Sequence, residues 1–269
     1  IYSRVLRDVI RFAYYNGCVV VTSSGNKGSD TPMYPSAFDE TISVGAVNEN
    51  DTLAQFSSFG NFIDVTAPGT EIYSAKIGNR YGYLIGTSAA APFVSGLAGL
   101  IISHNRELFP EQVRSIILLS ADDLDEKGYD ERYGAGRINV AKALNIKRFS
   151  VAHLQTPHID PSKKTIDITG TAKGMDMKYY SLYYGTVKNP ENWELIRRNV
   201  KTRVVDDKLG EWNIESLPDG MYCLRLVVEN YYNSPIEDRV IVNITRSYPC
   251  LLYTSPSPRD LSTSRMPSS

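Results

Sequence analysis

The fold is constrained most by an alternation of short apolar runs and helical patterns along residues 1–147. Three runs, CVVVTSSGN, ETISVGAV and FIDVTAPG, are β-branched stretches of the kind buried in parallel sheets. Helical patterns accompany them: an opening segment that ends at Gly17, an Ala- and Gly-rich segment from Ser88 to Asn105, and EQVRSIILLSA after Pro110. Strands that alternate with helices predict an α/β domain with a parallel sheet.

The pattern changes after residue 147. Helical periodicity stops, and short strand-like runs follow one another, separated by turn residues such as Asn189-Pro190 and Pro218-Asp219-Gly220. This predicts a small all-β sandwich over residues 148–247. The last residues, 248–269, are dense in Ser, Pro and Arg without periodicity, which predicts disorder. They also resemble translated sequencing-adapter sequence, so we expect them not to be native protein.

Composition excludes several classes of partner and site. The net charge is −1, and no basic stripe is interleaved with aromatic residues, so nucleic acid is not expected as a partner. The three cysteines, Cys18, Cys223 and Cys250, form no CxxC pair and indicate neither a disulfide framework nor a zinc site. The longest apolar run, near residues 93–102, is too short to span a bilayer, so no membrane span is predicted.

The chain opens inside a helical pattern, IYSRVLRDVIRFAYYNG, with no capping residue recognised before it. No basic-then-apolar signal segment is present at this point. Such an opening is typical of a truncation, so we expect the α/β domain to lack its amino-terminal part.

Two short segments carry the chemical hypotheses. In LIGTSAAAPFVSG, Ser88 begins a helix and can be either its cap or a nucleophile beside unpaired backbone N–H groups. Pro92 is expected to lie early enough in that helix to tolerate its missing N–H. In SSGN, Asn26 follows a buried strand and can be either a turn residue or a hydrogen-bond donor to an oxyanion.

Five segments together resemble the subtilisin-like serine peptidases, also called subtilases or peptidase family S8. They are SSGN, YPSAFDETISVGAV, FSSFGNFIDVTAPGTEIYSA, GTSAAAPFVSG and YGAGRINVAKAL, in the order that such a domain carries them over residues 1–144. The resemblance implies that Ser88 is the nucleophile and that Asn26, with the Ser88 N–H, binds the oxyanion. It also implies that Ser23, Ser24 and Gly25 border the substrate pocket. Ala89 stands where the family usually has Met.

A serine nucleophile needs a base and an acid that orients the base. In the family, the Asp and His motifs precede SSGN, but the 25 residues before Asn26 contain no His. His104, His153 and His158 are assigned to surface or boundary positions, because none stands in a motif or within reach of Ser88 along the helix. Only the Ser of the Ser-His-Asp triad and the oxyanion Asn are therefore present, and the chain alone is expected to be inactive.

The resemblance also sets expectations about ligands and location. We expect a protein or peptide substrate, no cofactor for catalysis and an extracytoplasmic location. Structural calcium is frequent in the family, but no ligand set is assigned here. The acidic stretch DDLDEKGYDER, residues 122–132, is interpreted as a solvated loop.

Three alternatives stay open at this point. The chain can derive from a non-catalytic binding protein whose catalytic domain has decayed, or from a peptide ligase or cyclase built on the same triad. In the sandwich, Trp193 and Trp212 are expected to be core residues, with glycan binding as the alternative.

Overall fold

Two differently built parts follow one another along the chain, an α/β part and an all-β part, as the sequence predicts. The computed structural model describes residues 2–160, 162–187 and 189–246. The predicted disordered tail, residues 248–269 with Cys250, lies outside the described residues.

The α/β part is built around a parallel three-stranded sheet. Its elements are α1 (Arg4–Tyr15), β1 (Val20–Ser23), β2 (Thr41–Val47), β3 (Val65–Pro68), β4 (Ile72–Lys76), β5 (Arg80–Leu84), α2 (Thr87–His104), α3 (Pro110–Ser120) and α4 (Val140–Asn145). The strand order is β1-β2-β3, with Val20 paired to Thr41 and Val44 to Val65. Every residue of the central strand β2 is buried, which explains why its sequence does not alternate.

Helix α2 packs across this sheet and contacts all three strands. Its buried residues Ala90, Val94, Leu97 and Ile101 recur at helical spacing and form one face. By length and composition alone, this 18-residue helix is apolar enough to cross a membrane. In the structure 39% of this helix is buried, and core helices can have the same length and composition.

Helix α1 has the cap that the sequence pattern did not reveal. Ser3 lies in extended conformation before the helix, and its side chain accepts a hydrogen bond from the Leu6 N–H at 3.3 Å. The expectation of an uncapped start is therefore wrong. Val5, Val9 and Phe12 of this helix are exposed by 74%, 60% and 71%, so its apolar stripe faces outward in this chain.

The all-β part is a sandwich of two antiparallel sheets. Its strands are β6 (Ser150–Leu154), β7 (Thr165–Gly174), β8 (Met177–Thr186), β9 (Asn189–Val200), β10 (Val204–Asn213), β11 (Gly220–Asn230) and β12 (Ile236–Ile244). One sheet has the order β10-β7-β6, and the other has the order β12-β11-β8-β9. The sheets are joined through their interior, where the buried Tyr180 hydroxyl on β8 donates to the Leu209 carbonyl on β10.

The two tryptophans of the sandwich pack against other side chains of the protein. Trp212 is 1% exposed and packs against the rings of Tyr184 and Tyr222, so it presents no face to a glycan. Trp193 is partly buried and lies under the guanidinium groups of Arg225 and Arg239. The core interpretation holds for Trp212, and the glycan alternative is wrong for that residue.

The acidic stretch 122–132 is solvated only in its middle. At its start, Asp122 accepts hydrogen bonds from Arg137, Asn139 and Lys142. Burial opposes ionisation of this carboxyl and is the largest single influence, but the hydrogen bonds together outweigh it and lower the pKa of Asp122 to about 2. Near its end, the partly buried Tyr129 ring lies 4.1 Å from the Arg239 guanidinium. The interpretation as a solvated loop is therefore wrong at both ends.

Candidate active site

Ser88 is the second residue of α2 and does not cap it. The cap position belongs to Gly86, whose backbone has φ 139° and ψ 163° and which makes no side-chain cap bond. Its N–H donates to the Gly69 carbonyl at 2.8 Å. This turn, which favours glycine strongly, leaves the Ser88 side chain exposed at the helix start, beside first-turn N–H groups. Of the two interpretations of Ser88, the structure removes the cap.

Asn26 lies beside this helix start because β1 ends just before it. Its Oδ1 accepts two hydrogen bonds from Thr87, one from the backbone N–H and one from the hydroxyl, both at 2.9 Å. A Cβ placed on Gly86 would lie 3.2 Å from Asn26 Nδ2 and 3.2 Å from Ser88 Oγ. The amide N–H₂ and the serine hydroxyl therefore both lie close to Gly86, while the amide oxygen is held by Thr87.

The segment before Asn26 is held by the same threonine. The Gly25 N–H donates to Thr87 Oγ1 at 3.2 Å, and Gly25 has φ 112°, with Met33 Sδ 2.4 Å from where a Cβ would stand. Ser24 is fully buried, and its hydroxyl donates to the Ser58 carbonyl at 3.2 Å. Its side chain therefore faces the interior.

A shallow groove runs along the exposed side of these elements. Ser23 lines it together with Ser88, and the remaining lining residues come from β1, from Pro35 and from the first turns of α2. Of the three residues expected to border the substrate pocket, Ser23 contributes its side chain to this groove. Gly25 adjoins the site through its backbone bond to Thr87.

Pro92 lies deeper in the helix than the sequence pattern suggested. It is the sixth residue of α2, where its missing N–H would have bonded the Ser88 carbonyl four residues earlier. The helix tolerates this proline, as expected, but at an interior position and not in the first turn. The consequence is local: the carbonyl of Ser88 receives no hydrogen bond from residue 92.

No histidine stands beside Ser88. His104 is at the far end of the same helix, sixteen residues or about 24 Å away. His158 is exposed, and His153 is buried on β6, with its ring 5.6 Å from that of Tyr14. Within the described residues, none of the three makes a hydrogen bond to the serine.

Metal ligands are also not clustered. Among residues 2–160, 162–187 and 189–246, no group of three or more His, Cys, Asp or Glu side chains has the arrangement to hold a metal ion. The site consists of a hydroxyl, an amide donor and backbone N–H groups.

Thr87 is the residue that sequence reasoning missed. It joins the nucleophile helix to the oxyanion segment through three hydrogen bonds. Its place between Gly86 and Ser88 in the quoted motif was the available signal, but the bonds span 61 and 62 residues and are not visible in a local pattern.

The order of these segments and their geometry agree with the comparison to known families. Residues 3–136 match the sequence profile of the Subtilase family. This segment belongs to the subtilase family.

The subtilase segment has characterised relatives. The chain is 41% identical over 143 residues to the thermophilic serine proteinase of Bacillus sp. (strain AK1), 42% over 145 residues to subtilisin DY of Bacillus licheniformis, and 37% over 139 residues to thermitase of Thermoactinomyces vulgaris. These matches cover 53%, 52% and 52% of the chain, and 35%, 52% and 48% of the relatives. The chain thus spans about half the length of these relatives, or less.

Proposed function

We propose that this chain is the carboxy-terminal part of a serine endopeptidase that hydrolyses peptide bonds, with Ser88 as the nucleophile and Asn26 as the oxyanion donor. One observation supports the proposal most directly: Thr87 holds the Asn26 amide by its oxygen, and Asn26 Nδ2 and the Ser88 hydroxyl both lie close to Gly86. A hydrogen-bond donor beside a nucleophile is the arrangement that stabilises a tetrahedral intermediate.

The chemistry divides into two parts. Ser88 Oγ attacks the carbonyl carbon, and the resulting oxyanion accepts hydrogen bonds from Asn26 Nδ2 and the Ser88 N–H. The proton of the hydroxyl must pass to a histidine oriented by an acid, and we assign both to a part of the protein outside this sequence. The chain alone is then inactive, because a serine without a base keeps only a residual acceleration of about 10³–10⁴ over water.

Exposed apolar surface supports the assignment to a larger domain. Val5, Val9 and Phe12 of α1 are exposed, and so are Phe93 and Leu100 of α2. Contiguous apolar faces on helices are normally covered by further structure. A preceding part of the same domain, suggested by the relatives' greater length, would cover them.

The substrates, on this proposal, are proteins or peptides, and catalysis requires no cofactor. We also propose an extracytoplasmic location, which is an expectation from the family resemblance.

The test is labelling with a serine-reactive fluorophosphonate probe. The product of the complete gene should be labelled and should cleave a generic peptide substrate, and its Ser88→Ala variant should do neither. The 269-residue chain should show no labelling above its own Ser88→Ala control. Labelling of this chain at Ser88, accompanied by peptide cleavage, would show that the base lies within it and would overturn the proposed division.

The same experiment separates the alternatives. A complete reading frame with no upstream Asp and His motifs, whose product is not labelled, would favour a non-catalytic binding protein. Labelling with transpeptidation products in place of hydrolysis products would favour a ligase or cyclase.

A further inference from the structure

Four ionisable side chains are buried together where the sandwich meets the α/β part. Arg114 comes from α3, Asp64 precedes β3, Asp238 lies on β12 and His153 lies on β6. Their side chains are 12%, 9%, 6% and 4% exposed. We call these four residues the junction cluster. None of them belongs to the candidate active site.

Arg114 bridges the two parts of the chain. Its Nε donates to Asp64 Oδ1 at 3.0 Å, and its Nη2 donates to Asp238 Oδ1 at 2.7 Å. The carboxylates are anchored in turn by backbone donors: the Ser43 N–H reaches Asp64 Oδ2 at 2.7 Å, and the Leu154 N–H reaches Asp238 Oδ2 at 2.6 Å. The cluster therefore connects the central strand of the parallel sheet to both sheets of the sandwich.

The charge of the cluster depends on His153. With a neutral imidazole, two buried carboxylates face one guanidinium, so one negative charge has no counter-charge in the cluster. His153 Nδ1 lies 3.6 Å from Asp238 Oδ2 and is buried with no hydrogen-bond partner. Protonation at this nitrogen supplies the missing positive charge, and a small approach gives Asp238 a further donor.

The surroundings of the imidazole favour the charged form. Burial alone would lower the pKa of His153, but the negative charge of the nearby Asp238 carboxylate outweighs burial and the repulsion from Arg114, so the pKa is raised. The negative charge of Asp39 acts in the same direction. From α1 the facing group is Tyr14, whose pKa is raised by burial, so it stays neutral over the range in which a histidine titrates.

We propose that the junction cluster is a pH-dependent clasp, which holds the sandwich against the α/β part most tightly when His153 is protonated. The contribution of a group with a raised pKa is fully present below its ordinary value of about 6.5 and is lost as pH rises through the raised value. Acidification through this range tightens the junction, and alkalinisation loosens it.

Other contacts also hold the two parts together at this junction. Asp39 accepts hydrogen bonds from the backbone N–H and hydroxyl of Thr156, and Arg239 donates to Asn61 Oδ1 at 2.7 Å. Neither contact contains a histidine. Loss of the proton from His153 therefore loosens one site of a junction that other bonds still hold.

The first test is a histidine NMR titration of the 269-residue chain, in which His153→Gln identifies the signal by its loss. We expect His153 to titrate above the ordinary histidine value of about 6.5. In Asp238→Asn we expect the pKa of His153 to fall below its wild-type value, because burial and Arg114 remain while the carboxylate is gone. A wild-type His153 that titrates at or below the ordinary histidine value of about 6.5 would overturn the proposal, whichever variants fold.

The second test measures the clasp directly by amide hydrogen exchange at Leu154, whose N–H donates to Asp238. After correction for the intrinsic exchange rate, protection should fall as pH rises, about tenfold for each unit by which the pKa of His153 is raised. His153→Gln should lack this pH dependence, and the matched variant His158→Gln should keep it. Identical profiles in wild type and His153→Gln would overturn the proposal.

Discussion

At the scale of single residues, Thr87 has the largest share in assembling the candidate site. Its hydroxyl donates to Asn26 Oδ1 and accepts from the Gly25 N–H, so one oxygen orients both the oxyanion donor and the adjoining backbone. This is a positioning role, exerted through Asn26 and not by contact with the reacting carbonyl.

Replacement of Thr87 by Val should lower kcat about tenfold in the complete peptidase. The change keeps the shape of the side chain but removes one donor to Asn26 and the acceptor for Gly25, a loss of about 1–1.5 kcal/mol. Thr87→Ser keeps the hydroxyl and should retain most activity. The measurement is steady-state kinetics on a peptide substrate, and an unchanged kcat in Thr87→Val would contradict the positioning role.

Replacement of Asn26 by Ala should reduce kcat more strongly. In subtilisin, the loss of the corresponding donor costs about 10²–10³ in kcat, and we carry that measured magnitude over to this family member. KM should change little, because the donor acts mainly on the transition state. Lys27→Ala, at the exposed neighbouring position, is the control. Equal kinetics in the two variants would exclude Asn26 as the oxyanion donor.

Some residues of the candidate site can be predicted from the sequence, and others only from the folded structure. Ser88 and Asn26 stand in short contiguous motifs that a linear pattern can display. The function of Thr87 arises from hydrogen bonds to residues more than 60 positions away, which only the folded sheet brings together.

At the scale of elements, the start of α2 depends on Gly86. Its φ of 139° and ψ of 163° lie in a region that residues with a side chain rarely occupy, and any Cβ there would approach both Asn26 and Ser88 at 3.2 Å. The irregular turn and the exposed hydroxyl therefore have the same origin.

Gly86→Ala should destabilise the chain by about 1–3 kcal/mol, the cost of holding a non-glycine residue in this conformation. The matched control is Gly99→Ala within the same helix, where nothing lies within 4 Å of the added Cβ. That change should stabilise the chain by about 0.5–1 kcal/mol through helix propensity. Urea unfolding of the 269-residue chain measures both, and a neutral Gly86→Ala would show that the turn can relax.

Element types were easier to predict than their ends. Continuous β-branched runs identify β1, β2 and β3 because a strand covered on both faces needs no polar alternation. The sequence pattern did not predict the cap at Ser3 or the interior position of Pro92. Each depends on which residue starts the helix, and periodicity does not determine that residue to within two or three positions.

At the scale of the whole molecule, the sandwich and the α/β part share a buried ionic junction. Arg114 is central to it, because it is the only guanidinium that reaches both Asp64 and Asp238 among the described residues. Burial alone would raise the pKa of Asp238, but Arg114, followed by His153 and the Leu154 N–H, lowers it.

Arg114→Met should destabilise the chain by about 3–5 kcal/mol at neutral pH, since it leaves two carboxylates buried without their cation. Arg132→Met is the matched control: its pair with Asp125 is 3.9 Å long and exposed, so the loss should be under about 1 kcal/mol. Part of the Arg114→Met loss should return on acidification, because carboxylates with raised pKa values favour the folded state when protonated. Similar losses in the two variants would exclude a buried bridge.

No sequence pattern predicts this junction. Asp64 stands alone among apolar residues, whereas Asp238 lies between Glu237 and Arg239 and resembles part of a charged surface run. The contacts of Arg114 with these two carboxylates span 50 and 124 positions, so no local pattern displays them. The sequence predicts that one part is α/β and the other all-β, but it contains no local signal for the contacts that join them.

The Thr87 bonds have a consequence for how such an enzyme can be divided. The proposed nucleophile, the proposed oxyanion donor and Thr87, which joins them, all come from one uninterrupted stretch of chain. On the proposed function, the groups that stabilise charge are therefore in place on this chain without the groups that transfer the proton. In an enzyme split ahead of α1, the groups that stabilise the oxyanion would thus stay preorganised on the carboxy-terminal piece. The amino-terminal piece would need to supply only the histidine and the acid that orients it, at a site whose other groups are already in position.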